Sequence, residues 1–149
     1  MSAAQFFSFA NALALGGWLA LLISIVRNHR WLRDWIAGWF WPIGLAAMYA
    51  VIFVMVVGRT EGGFDSLASV RQLFQSDWVL VGGWIHYLSF DLFIGSWIAK
   101  QVMEKGWNRL WLCLLLPLTF LFGPIGLLAY AIMTMVDRKQ DSDAAKPSF

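Results

Sequence analysis

The chain has 149 residues, of which 60% are hydrophobic and only 13% charged, with ten tryptophans and a formal net charge of +2. That balance excludes an ordinary soluble domain and points to a membrane protein. The small charge is dispersed over connecting segments, which argues against a nucleic-acid partner. The single cysteine, Cys113, rules out an intrachain disulfide and argues against a thiolate metal centre.

Residues 1–26, 35–58 and 110–136 contain no Asp, Glu, Lys, Arg or His, and 78–99 is a fourth apolar stretch. About 20 helical residues cross a hydrocarbon core of roughly 30 Å. A backbone in lipid must satisfy its own hydrogen bonds, and no alternating pattern favours strands. The expectation is an all-α fold, a four-transmembrane-helix bundle forming one integral membrane domain over 1–136. Its spans lie near 5–26, 35–58, 78–102 and 110–136.

The first span lacks a basic start and exceeds the 7 to 15 apolar residues of a signal core, so it is expected to stay in the mature protein. Asn11 interrupts it between small neighbours, a setting for close helix packing. The basic connection from Arg27 to Asp34 leads into a second span whose Trp35, Trp39 and Trp41 suit the headgroup level. Pro42 falls in its first turns, where a missing amide costs least.

The connection 59–77 holds Leu67, Val70, Leu73 and Phe74 on one helical face, which predicts a short interfacial helix within 64–75. Asp65 or Ser66 would cap it, and Gly62-Gly63 would let it fold over the bundle mouth as a lid. The fourth span contains Pro117 and then Phe122-Gly123-Pro124-Ile125-Gly126, a sequence that predicts a kink or partial unwinding. Composition predicts a disordered tail over 137–149. With that tail discounted, Arg27, Arg30, Arg33, Lys100, Lys105 and Arg109 outweigh Arg59 and Arg71, so both termini are expected outside the cytoplasm.

His86 and Asp91 stand near the middle of the third span, where ionisable groups are costly and usually mark a site. On a helix they are about 140° apart and about 7.5 Å apart along the axis. Gly83, Tyr87, Phe90 and Ile94 lie on the arc between them. Both groups are therefore expected to border one apolar cavity without touching. Tyr87 and Asp91, four residues apart, share a face.

Exclusion of water favours the uncharged form of a carboxyl or an imidazole alike, the condition for proton transfer near neutral pH. His86 and Asp91 are thus the candidate catalytic pair. Trp84, Tyr87, Phe90, Phe93, Asn11, Tyr49 and Tyr130 are the candidate substrate-binding residues. A second reading stays open: a non-enzymatic membrane or lipid-binding protein in which the pair is structural, bonded to Asn11, Tyr49 or Tyr130.

Two histidines exclude a histidine-rich di-iron centre, and His29 lies in a basic connection, which excludes a bis-histidine haem. A single ion at His86, Asp91 and Glu61 is the residual metal alternative; the expectation is no metal. Nucleotide motifs are missing, so no cofactor is expected. The expected partners are membrane lipid and, because short helices bury little area, a second copy of the chain; the aromatic residues are numerous enough to line a pocket for a polyene.

The segments Gly83-Trp84-Ile85-His86-Tyr87-Leu88-Ser89-Phe90-Asp91-Leu92-Phe93 and Pro117 to Leu128, with Phe9-Ala10-Asn11 and Gly62 to Leu67, resemble the abscisic-acid-deficient-four-like, or neoxanthin-synthase-like, family. Without a transit peptide, the chain looks like a short prokaryotic-type member. The plant members are needed to convert violaxanthin to neoxanthin, an isomerisation that opens an epoxide and creates an allene. The resemblance implies a cofactor-independent carotenoid isomerase. On that reading Asp91 is the acid that protonates the epoxide oxygen, and His86 is the base that takes a proton from the polyene.

Overall fold

A computed structural model describes residues 1–144, and all of its regular structure is helical. Helix α1 spans Ala3–Val26 and α2 covers Leu32–Val56. Then follow α3 (Leu67–Leu73), α4 (Asp77–Glu104), α5 (Leu112–Phe122) and α6 (Pro124–Ala144). Three of them, α1, α2 and α4, are long and apolar enough to cross a membrane.

Helix α1 starts with a reciprocal cap. The Gln5 amide donates to Ser2 Oγ at 3.3 Å, and the Ser2 amide donates to Gln5 Oε1 at 2.9 Å. At its other end Arg109 reaches back to donate to the Ile25 carbonyl at 3.3 Å, a second donor to an oxygen that already accepts from the Asn28 amide.

Helix α2 begins at Leu32, ahead of the charge-free run that starts at Trp35, and its first part, Leu32–Phe40, is a π-helix. Arg33 is buried there because Asp34 neutralises it, with Nε to Oδ1 at 2.7 Å and Nη2 to Oδ2 at 3.2 Å. Paired charges let the helix start earlier than isolated charges would. A Cβ at Gly38 would lie 2.9 Å from the Arg33 carbonyl oxygen, so the wide turn needs glycine at this point.

Helix α4 is the central element, packed against α1, α2 and α5. Its buried positions Val81, Ile85, Leu88, Leu92, Gly95, Ala99 and Val102 advance in alternating steps of four and three, the spacing of a continuous packing seam. Small residues set the approach of its neighbours. The Trp18 ring covers Gly95, where a Cβ would be 2.5 Å from Cη2. Trp41 of α2 lies over Gly16 and Gly17 of α1, and its indole N–H donates to the Leu13 carbonyl at 2.6 Å. Ser89 of α4 donates to the Pro42 carbonyl at 2.8 Å.

The fourth apolar segment is divided rather than continuous. Helix α5 ends at Gly123, and Pro124, which has no amide to donate, begins α6. Helix α6 continues through Ala144, so residues 137–144 are helical where composition predicts disorder. The rest of that predicted tail, 145–149, lies outside the described residues. Helix α3 is capped by Ser66, whose Oγ accepts from the Ser69 amide at 3.1 Å. The preceding Gly62 has φ +92°, and its missing side chain leaves room for the Ser69 carbonyl and the Leu73 amide.

Candidate functional site

The start of α4 carries two apolar clefts that share one wall. The first, of about 470 Å³, lies between α2, α3 and α4, with Tyr49, Phe53, Thr60, Phe74, Gly83 and His86 on its walls. The second, of about 750 Å³, lies between the starts of α1 and α4, against Ala4, Phe7, Phe74, Gly83, Trp84 and His86. Phe74, Gly83 and His86 border both. The Phe74 ring sits over Gly83, where a Cβ would be 3.0 Å from Cε1, so this ring is the partition between the two volumes.

His86 is exposed at this partition. Its ring meets Tyr49 edge-on at 5.5 Å and Phe90 at 4.7 Å. Among the described residues it has no side-chain hydrogen-bond partner, so no contact binds it to a neighbouring helix as a polar brace.

Asp91 is placed differently, buried at 7% exposure, with Oδ2 unpartnered among the described residues. It faces the break in the fourth apolar segment, where a Cβ at Gly123 would collide with its carboxylate. The expected common cavity for His86 and Asp91 is therefore not what the structure has. The two groups leave α4 toward different neighbours, and the clefts beside His86 do not extend to Asp91. The cause is what stands on the arc between them: the Phe90 ring packs on His86 and Tyr87 is tied to the Phe120 carbonyl, so side chains occupy the space expected to be hollow.

The aromatic candidates divide in the same way. Trp84 donates to Asn11 Oδ1 at 3.0 Å and lies between Phe7 and Tyr87, with ring centroids 5.7 and 5.4 Å away. Asn11 in turn donates to the Phe7 carbonyl at 2.9 Å. Tyr87 donates to the Phe120 carbonyl at 3.2 Å, just before the break. Tyr49 and Phe90 flank His86. Phe93 and Tyr130 belong to the opposite end of α4, where Tyr130 packs edge-on against Trp97 at 5.1 Å.

Glu61 accepts from Gln72 at 2.8 Å. Among the described residues no three of His, Cys, Asp and Glu gather closely enough to hold a metal ion. Sequence reasoning did not single out Phe74, Phe53 and Thr60 as site residues. Phe74 was legible as part of the apolar face of α3, and Gly82-Gly83 marked where something could approach α4 closely; nothing in the sequence says that one covers the other.

A family model described as ABA DEFICIENT 4-like matches residues 5–130. Comparison with curated proteins and with solved structures returns no match.

Proposed function

The chain belongs to the ABA DEFICIENT 4-like family, and from that premise we propose that it is an integral membrane protein of four crossings that binds a carotenoid or related isoprenoid beside His86 and isomerises it by proton transfer. The fourth crossing is made by α5 and the apolar part of α6 together. Helix α3 rests at the membrane surface and covers the site, and the membrane is a bacterial inner membrane.

The observation that carries this reading is the position of His86. An imidazole without a hydrogen-bond partner among the described residues stands where two apolar clefts meet, beside Tyr49, Phe74 and Phe90. Cyclic and polyene isoprenoid groups fit apolar, aromatic-lined spaces of several hundred Å³. Isomerisation requires no net proton. An imidazole that removes a proton from the polyene becomes an imidazolium that can deliver one, to an epoxide oxygen or to another carbon, so both transfers can pass through one ring.

For Asp91 a second reading is favoured by its burial against Gly123: the carboxylate braces the break between α5 and α6 and holds the wall on which Tyr87 rests. The test is the pigment profile of a carotenoid-producing host expressing the chain, His86→Ala or Asp91→Asn, with the same samples checked for folding by thermal unfolding in detergent. His86→Ala is expected to abolish the profile change and keep the melting temperature. Asp91→Asn is expected to keep the profile change and to shift the melting temperature only slightly, since the carboxylate braces by contact rather than by a hydrogen bond. Indistinguishable profiles for the folded parent and His86→Ala would overturn the proposal.

A further inference from the structure

At the opposite end of α4 from His86, a small cleft of about 160 Å³ opens between α4 and the π-helical start of α2. Its polar groups are Arg33, Asp34, Ser96 and Lys100, and the indoles of Trp39 and Trp97 stand beside them. Both tryptophans are exposed, as expected of rings at a membrane–water boundary.

Donors outnumber free acceptors in this cleft. Three of the five Arg33 N–H groups are engaged, two by the Asp34 carboxylate and one by Met103 Sδ at 3.3 Å, so two remain. Each Asp34 oxygen already accepts one of these bonds, which leaves it fewer sites than the donors around it. Ser96 is 3% exposed, and among the described residues its Oγ has no partner. Lys100 stands one turn further along α4, half-buried, with only a distant 3.9 Å approach to Glu104. A buried hydroxyl left unpaired is costly, and a cluster of uncommitted N–H and O–H groups calls for anionic oxygen.

Local geometry keeps this space open. Gly38 faces Ser96 across the helix pair, and a Cβ there would lie 3.4 Å from Ser96 Cβ. The π-helix fixes Arg33 at the floor, and such wide turns occur frequently at functional positions.

We infer that this cleft binds the phosphate of an anionic membrane phospholipid, with Lys100 and Arg33 supplying charge, Ser96 donating its hydroxyl proton and the two indoles flanking the glycerol region. The same phosphate chemistry could come from a free ion, so the source has to be tested. The exposed indoles and the position at the end of an apolar helix favour the lipid.

Native mass spectrometry of the detergent-purified chain, titrated with phosphatidylglycerol, with diacylglycerol and with inorganic phosphate, separates the possibilities. Phosphatidylglycerol is expected to form a one-to-one adduct that diacylglycerol does not form and inorganic phosphate does not displace at equal concentration. Lys100→Gln is expected to weaken the adduct about tenfold and Ser96→Ala about fivefold, corresponding to loss of one charged and one neutral hydrogen bond. Lys105→Gln serves as control; its ammonium lies over Trp107 at 4.6 Å, outside the cleft, and its adduct should be unchanged. Equal binding of diacylglycerol, displacement by inorganic phosphate, or a Lys100→Gln affinity equal to the parent's would each overturn the inference.

Discussion

Alanine at Gly123 would place a methyl carbon against the Asp91 carboxylate, 3.0 Å from Cγ and 3.2 Å from Oδ2, with Oδ1 in direct collision. Asp91 is 7% exposed, so the carboxylate has little room to swing aside. Overpacking of this kind costs about 1–3 kcal/mol. Asp91→Ala alone should cost less than about 1 kcal/mol, because Oδ2 has no hydrogen bond to lose and polar contacts between membrane helices average about 0.6 kcal/mol. The double variant removes the collision. It is therefore expected to be more stable than the sum of the single effects by about 1–2 kcal/mol, a coupling typical of residues in contact. Any backbone cost of replacing the glycine appears in both arms of the cycle and cancels. Unfolding by sodium dodecyl sulfate, followed through tryptophan fluorescence, measures all four proteins. Additivity within about 0.5 kcal/mol would refute the contact and with it the bracing role given to Asp91.

Two further outcomes follow from the same packing. Trp41→Phe keeps the ring over Gly16 and Gly17 but loses the bond to the Leu13 carbonyl, and should lower stability by about 1 kcal/mol in the same unfolding assay. Gly83→Leu pushes into Phe74 and fills the wall common to both clefts. Because Phe74 is 40% exposed and can yield, stability should change by less than about 1.5 kcal/mol while retention of a copurifying isoprenoid falls at least tenfold. Unchanged retention would remove the clefts from consideration as the binding site.

The helical character of the chain was legible because long runs without charge leave a backbone in lipid no other regular structure. The division of the fourth apolar segment was legible too, since Gly123-Pro124 removes a side chain and an amide at adjacent positions. Three features were hidden for physical reasons. Helix α2 starts inside a charged connection because Arg33 and Asp34 cancel each other, and counting charges one by one treats the pair as a barrier. Helix α6 runs past Val136 because its polar residues are compatible with a helix that no longer needs an apolar surround. The parting of His86 from Asp91 depends on what fills the arc between them. Helical angles show that the two residues diverge, but only the tertiary contacts of Phe90 and Tyr87 decide whether the space between is hollow or solid.

The indole of Trp41, seated over two glycines and bonded to one carbonyl, also determines how α1 and α2 can travel past one another. Carbonyls on a single helix face recur about once per turn, roughly 5.4 Å apart, so the next acceptor for that N–H is a full turn away. A small slide would forfeit the bond and lift the ring out of its glycine seat together. The pair therefore has a ratchet's mechanics: axial displacement comes in whole teeth or not at all, and thermal agitation at this crossing is confined to rocking about a fixed pawl.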